Sequence, residues 1–154
     1  MKIKLDKKFQ PMSRDEGDEF FPNGIFEFNI TKLIAHIKAS PDHFPIEEVP
    51  LEGQFGLRDS SCLDEATIQK ANPASPIILA EISPGRFNVI DGNHRVERAK
   101  RDGAKFIRAY KVGPDQHYRF ITSAESYKKY VEYWNSKVRD IEKRARLTQT
   151  SASL

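Results

Sequence analysis

The chain has a single cysteine, Cys62, and no long hydrophobic segment in its 154 residues. One cysteine excludes an internal disulfide bond and is typical of proteins from a reducing compartment. No apolar run approaches the ~20 residues that span a bilayer, and residues 1–6 lack the apolar core of a secretion signal. We therefore expect a cytoplasmic protein that has no contact with a membrane.

The composition, 38% hydrophobic and 31% charged, is typical of a globular protein, and the length is sufficient for one domain with its own core. The net charge of +3 is unevenly distributed. Residues 1–93 carry 10 basic and 15 acidic side chains, whereas residues 94–154 carry 15 basic and 7 acidic side chains. The basic half favours a polyanionic partner, either a nucleotide or a nucleic acid. A solvated helical surface explains the same charge.

Hydrophobic periodicity and turn residues divide the chain into four segments. They are an N-terminal arm at 1–24, a domain at 25–112, a helical extension at 113–146 and a flexible tail at 147–154. Within the domain, the patterns predict strands at 25–30, 46–51, 77–82, 86–90 and 106–112, and helices at 31–38, 63–71 and 92–102. Because Ser83-Pro84-Gly85 is typical of a turn, the strands on either side of it should form an antiparallel hairpin.

The segment Asp91-Gly92-Asn93-His94-Arg95 lies where a predicted strand is followed by a predicted helix. Backbone N–H groups at the start of a helix can bind an anion, the helix dipole favours negative charge there, and a glycine lets another group approach closely. We therefore predict a phosphate or nucleotide site at Gly92, Asn93, His94 and Arg95. Arg98, which follows on the same helix, is a further candidate for this site, although such a side chain is more often solvated.

Each charged side chain of this segment has a chemical role in the predicted site and a structural alternative. Arg95 can bind a phosphate with two parallel hydrogen bonds. His94 can donate to a phosphoryl oxygen or act as an acid or base near pH 7. Asp91 can hold Mg²⁺ or orient His94. The alternatives are an Asx turn or helix cap at Asp91 and a hydrogen-bonded His94 that packs under the sheet.

Glu47 and Glu48 are further candidate metal ligands, because they lie on the predicted 46–51 strand. Adjacent strand residues face opposite sides of a sheet, so one of them would serve if that strand lies beside Asp91. Solvated edge charges are the alternative. Ser75, just before the 77–82 strand, could contact a phosphate. No spacing among the histidines and Cys62 indicates a zinc site.

The C-terminal third of the chain is predicted to be one helix with a large apolar stripe. Its members repeat at helical spacing and are Tyr127, Tyr130, Val131, Trp134, Val138 and Ile141. The stripe either covers one face of the sheet or docks a second copy of the chain, and we favour the first. A homodimer through this helix is therefore the alternative.

Residues 76–112 contain, in this order, Pro76-Ile77-Ile78, the hairpin, Asp91-Gly92-Asn93-His94-Arg95, Ala99 and Gly103. With these features the segment resembles the ParB/sulfiredoxin superfamily. It implies an α+β fold, a ParB/sulfiredoxin-like mixed sheet flanked by helices, to which this chain adds a C-terminal helix. The resemblance is better evidence for the fold than for a reaction, because members of the superfamily perform different chemistry.

Departures from the superfamily patterns narrow the expected activity. Sulfiredoxin-like proteins have a reactive cysteine immediately before His-Arg, where this chain has Asn93. Reduction of a sulfinic acid is therefore not expected, and Cys62 lies in another segment. Residues 113–140 contain no Glu-Asn-x-x-Arg segment of the kind that helps chromosome-partition proteins bind cytidine triphosphate. A free-serine kinase branch has an Asp-Gly-His-His-Arg turn, which is similar to residues 91–95.

Two functions remain open at this point. In the first, the domain binds a nucleotide or DNA and is a Mg²⁺-dependent phosphoesterase, a nuclease or a nucleotide hydrolase. Arg95 and the backbone at 92–94 then hold the phosphate, Asp91 with Glu47 or Glu48 holds the metal, and His94 stabilises the leaving oxygen. In the second, the protein is a non-enzymatic regulatory or interaction protein that retains the fold and the anion site.

Overall fold

The computed structural model describes residues 1–23, 26–52, 55–56 and 63–152. Cys62 lies outside the described residues. Within these residues the chain contains both helices and strands in a mixed arrangement, which confirms the expected α+β class. The strands are β1 (Phe20–Asn23), β2 (Phe26–Asn29), β3 (Ile46–Pro50), β4 (Phe55–Gly56), β5 (Ile77–Ser83), β6 (Arg86–Asp91) and β7 (Phe106–Val112). The helices are α1 (Ile30–Ala39), α2 (Glu65–Lys70), α3 (Asn93–Arg101), α4 (Pro114–His117) and α5 (Ala124–Ala152).

The larger sheet is mixed and has the strand order β3-β7-β5-β6-β4. Strands β5 and β6 are antiparallel neighbours, which confirms the predicted hairpin. Helix α3 connects β6 to β7, and β7 pairs parallel to β5. Strand β3 pairs antiparallel to β7 at the edge of the sheet. The edge position of β3 is consistent with Pro50, since a proline has no N–H to donate to a neighbouring strand. A separate antiparallel hairpin joins β1 and β2.

Alternation along β5 separates two hydrophobic cores, one on each face of the larger sheet. Ile77 and Leu79 face a core that includes Val96 and Ala99 of α3, so this helix packs on that face of the sheet. Ile78, Ala80 and Ile82 face the opposite way and form the larger core. That core includes buried residues of β2, α1 and α5. Both faces of β5 are therefore buried.

Helix α5 forms part of the larger core through the predicted apolar stripe. Tyr127, Tyr130, Val131, Trp134 and Val138 are buried within this chain, whereas Ile141 is 37% exposed. The stripe thus packs on the chain's own core. The helix continues to Ala152 and includes most of the segment predicted as a tail. None of the described helices is both long enough and apolar enough to span a membrane.

The first residues of the chain lie along α5. The indole Nε1 of Trp134 donates to the Met1 carbonyl oxygen at 2.8 Å. The Asn135 side chain accepts from the Ile3 N–H at 2.8 Å and donates to the Ile3 carbonyl at 2.9 Å. Phe9 stacks on Tyr127 with 4.1 Å between ring centroids. Part of the predicted arm is therefore held by specific contacts.

A buried histidine connects α4 to the larger sheet. The side chain of His117 is fully buried, and its Nε2 atom lies 2.9 Å from the Glu81 carbonyl oxygen. The Tyr130 hydroxyl donates to the same oxygen at 2.8 Å. Burial lowers the pKa of His117 from 6.5 to about 4, because the charged form would lose its hydration.

This pKa difference predicts a loss of stability in mild acid. Below pH 6.5 the unfolded chain binds a proton at His117 that the folded chain does not bind until about pH 4. The free energy of unfolding should therefore decrease by about 3 kcal/mol across this interval, because each unit of difference between the folded and unfolded pKa corresponds to ~1.4 kcal/mol. Urea unfolding between these pH values measures the effect. His117→Gln should remove this contribution and His43→Gln, at an exposed position, should retain it. Equal pH dependence in the wild type and His117→Gln would contradict the assignment.

Candidate functional site

A cavity of about 260 Å³ lies where β6 ends and β5 begins. The strand register produces it, since Asp91 pairs with Ile78 and Ile78 pairs with Tyr110 across β6, β5 and β7. Helix α1 contributes Ile34, Ile37 and Lys38 to the same cavity. The polar residues that line it are Lys38, Ser75, Asp91, Arg95 and Tyr110. The first and last residues of the predicted motif therefore meet in one cavity.

Arg95 is held in place by two oxygen atoms at the start of β5 and the end of β6. Its Nη2 donates to Asp91 Oδ2 at 3.0 Å and to the Pro76 carbonyl oxygen at 3.2 Å. Each side chain of the ion pair is 23% exposed. The Nε atom of Arg95 is buried and has no hydrogen-bond partner among the described residues. The guanidinium thus retains hydrogen-bonding capacity that Asp91 and Pro76 do not use.

Gly92 allows α3 to begin close to β5. It precedes the helix with φ 103°, in the left-handed region, and no side-chain cap closes the helix start. A Cβ atom at this position would lie 2.5 Å from Ile77 Cγ2 and 2.8 Å from Arg95 Nη2. Only glycine combines this backbone conformation with this approach. Gly92 is therefore required by the backbone geometry at the start of α3.

Asn93 and His94 do not line the cavity formed by the described residues. The Asn93 side chain donates to the Val89 carbonyl oxygen at 3.4 Å. The Nε2 atom of His94 accepts from the Asp64 N–H at 3.2 Å, so His94 contacts the residue that caps α2. Its neutral form with the proton on Nδ1 makes this bond. The carboxylate of Asp91 pairs with Arg95 and not with His94.

Two further arginines of α3 connect this helix to α2. Arg98 donates through Nε to both Asp102 oxygens at 3.1 Å and through Nη1 to the Gln69 carbonyl at 2.5 Å. Arg101 forms ion pairs with Glu65 and Glu97. Arg98, a candidate for the anion site, is not among the residues that line the cavity, because its Nε binds Asp102 at the end of α3 and its Nη1 binds Gln69 at the end of α2. It has a structural role in this arrangement.

The candidate metal ligands are not brought together. Glu47 and Glu48 are exposed on β3, and β7 and β5 separate β3 from β6. Three strand spacings of ~4.8 Å place their backbone about 14 Å from that of Asp91. The described residues contain no group of three or more His, Cys, Asp or Glu side chains that could hold a metal ion. Among the described residues that line the cavity, Asp91 is the one carboxylate that a metal could use.

Lys38 and Tyr110 are cavity residues that the sequence did not indicate. Lys38 lies in the last turn of α1 and Tyr110 on β7, far from the motif along the chain. No local pattern marks either residue, because their proximity to Asp91 depends on the strand order. Ser75, which was a predicted phosphate contact, does line the cavity.

Searches for similar proteins gave no match to a family model, to a curated protein or to a solved structure. The assignment of a function therefore depends on the chemistry of the cavity.

Proposed function

We propose that this protein is a phosphate-binding member of the ParB/sulfiredoxin superfamily and that the cavity at the end of β6 binds the phosphate of a nucleotide. The observation that carries the proposal is the convergence of Lys38, Ser75 and Arg95 on one cavity. The succession of β5, β6, α3 and β7 agrees with the order of elements that the resemblance implies.

The donors that line the cavity suit a phosphate. Arg95 and Lys38 bring two positive charges against the one negative charge of Asp91. A guanidinium binds phosphate oxygens with paired, charge-assisted hydrogen bonds, and a serine hydroxyl adds a neutral donor. Arg95 is already oriented by Asp91 and Pro76, so little side-chain entropy is lost on binding.

Asp91 would repel a bare phosphate but is compatible with a magnesium nucleotide. Mg²⁺ is commonly held by one or two carboxylates, with phosphate oxygens and waters completing its octahedral shell. Asp91 would be the carboxylate that holds the metal, which would neutralise charge on the phosphate. Arg95 keeps its hydrogen bond to the Pro76 carbonyl oxygen and has an unpartnered Nε atom, so it remains oriented beside the same site.

The cavity volume limits the part of the ligand that is enclosed. At about 260 Å³ it is smaller than the ~300–1,000 Å³ of sites that enclose a drug-sized molecule. We therefore propose that it holds the phosphate and the neighbouring sugar, while the base lies outside. Such a site would recognise several nucleotides with similar affinity.

Arg95→Ala should weaken nucleotide binding by about 1.5–3 kcal/mol, or about 10- to 100-fold, because a charge-assisted hydrogen bond is lost. Titration calorimetry of the ribonucleoside triphosphates with Mg²⁺ measures this loss. Arg98→Ala is the matched control, since it removes an arginine of the same helix that is bonded to Asp102 and Gln69. Equal affinity of the wild type and Arg95→Ala would exclude the cavity as the binding site.

The position of Asp91 favours one second candidate, Mg²⁺-dependent hydrolysis of a phosphoester. A single carboxylate beside a phosphate can position a metal that activates water. His94 contacts α2 and so is not placed to protonate a leaving group in the cavity. Assays of nucleotide and plasmid turnover with Mg²⁺ or Mn²⁺ distinguish hydrolysis from binding, and Asp91→Asn should abolish any turnover.

A further inference from the structure

A second charged concavity lies at the opposite end of β5, between the β5–β6 turn and the middle of α5. Its volume is about 300 Å³, and its lining includes Arg86, Lys137 and Arg144. Asp140 is the one acidic residue among the lining residues. We call this concavity the α5 groove. The phosphate cavity involves Ser75 and Pro76, before β5 begins, whereas the α5 groove includes Ser83, where β5 ends.

We propose that the α5 groove and the neighbouring basic residues of α5 bind the phosphate backbone of duplex nucleic acid. This site is separate from the phosphate cavity, and the proposal does not depend on the proposed function of that cavity.

The positive charges of the groove are not neutralised by ion pairs. Arg86, Lys137 and Arg144 form no ion pair with a carboxylate of the described residues. Lys137 instead lies over the ring of Tyr133, with Nζ 5.3 Å from its centroid. By contrast, Arg95, Arg98 and Arg101 of α3 all have acidic partners. The groove therefore concentrates cations that remain available to an external anion.

The spacing of these cations suits a repeating anion. Lys137 and Arg144 are seven positions apart on α5, so they project from one face with a separation of about 10.5 Å. Each strand of a DNA duplex carries one phosphate per ~3.4 Å of helix axis, so a duplex presents several phosphates over an axial length of this size. A polymer with regularly spaced phosphates can thus contact both side chains at once.

The same stretch of α5 carries further basic side chains outside the groove lining. Residues 139–150 are exposed, and residues 137–146 contain five basic and two acidic side chains. Outside the groove the basic ones are Arg139, Lys143 and Arg146. The five basic side chains extend over about 14 Å of the helix axis.

The exposed part of α5 does not fit a membrane surface or a typical protein interface. Its exposed large apolar residues are Ile141 and Leu147, which cannot form the continuous apolar face of an interfacial helix. A tight protein interface would need a central aromatic or apolar anchor. Tyr133 is half-buried and already has Lys137 over its ring. Charge without apolar anchors favours contact with a phosphate backbone, independent of base sequence.

Fluorescence anisotropy with a labelled duplex of about 20 base pairs, which is longer than α5, tests this proposal. The double variant Lys137→Gln/Arg144→Gln should bind at least about ten-fold more weakly at ~0.1 M salt. The slope of log affinity against log salt concentration, measured from about 50 to 200 mM, should become less steep by about 1.8, or ~0.9 for each lost phosphate contact. Glutamine favours helix at these positions, so circular dichroism should show unchanged folding.

The matched control is Lys7→Gln/Lys8→Gln, which removes the same charge from exposed positions of the N-terminal arm. It should leave affinity and slope nearly unchanged. An equal loss of duplex affinity in both double variants would mean that only the net charge matters, and this would overturn the proposal. Absence of duplex binding by the wild type at low salt would overturn it as well. If the protein sediments with anionic vesicles and does not bind the duplex, the groove is a membrane-binding site and the proposal is wrong. Arg95→Ala should bind the duplex as the wild type does, whatever its effect on nucleotide binding.

Discussion

Replacing Trp134 with alanine should lower the free energy of unfolding by about 3–5 kcal/mol, the range for large-to-small substitution of a buried tryptophan. The indole is 7% exposed within the larger core. The substitution also leaves the Met1 carbonyl without its Nε1 donor. Thermal and urea unfolding measure the loss, which should not depend on protein concentration because the contacts are within one chain.

Ile141→Ala provides the control on the same helix. Ile141 belongs to the same apolar stripe but is 37% exposed, so its truncation should cost less than about 1 kcal/mol. A shift of Trp134→Ala from dimer to folded monomer in light scattering, without loss of stability, would show that the stripe docks a second chain. That outcome would contradict the intramolecular packing.

Gly92→Ala should destabilise the protein by about 2–5 kcal/mol. About 1–2 kcal/mol comes from forcing an L-residue into the left-handed region, and a further 1–3 kcal/mol comes from overpacking. The overpacking arises because the new Cβ would lie 2.5 Å from Ile77 Cγ2. Relief of this contact would also move Arg95, whose Nη2 lies 2.8 Å from the same position. Chemical unfolding measures stability, and calorimetry measures the accompanying loss of nucleotide binding.

Gly103→Ala separates the two contributions. Gly103 also has a positive φ, 75°, but a Cβ there would meet no atom within 4 Å. This control should therefore cost only the backbone strain of about 1–2 kcal/mol. Equal destabilisation of the two variants would show that α3 can move away from β5 without cost.

The elements around the motif follow from local sequence. Ser83-Pro84-Gly85 predicts the hairpin because its turn preference agrees with the apolar strands on both sides. The small residues Val96 and Ala99 identify the face of α3 that packs on the sheet. Local preference and tertiary packing agree there, so the sequence is sufficient.

The composition of the cavity does not follow from local sequence. Lys38 reaches the site because α1 covers one face of the sheet, and Glu47 is kept from it because β7 and β5 lie between. Both facts depend on strand order, which no short segment encodes. His94 is adjacent to Arg95 in sequence, but successive helical residues project about 100° apart. One therefore contacts α2 while the other enters the cavity.

The attachment of the N-terminal arm to α5 has a consequence for biosynthesis. Met1 and Trp134 are separated by 133 positions, so Met1 is synthesised well before the helix with which it bonds. At about 5–20 residues per second, Met1 is synthesised roughly 7–27 s before Trp134. During that interval Ile3 and Phe9 have no α5 surface on which to pack. Completion of the larger core is therefore an event that follows synthesis of α5, and it depends on the C-terminal third of the chain.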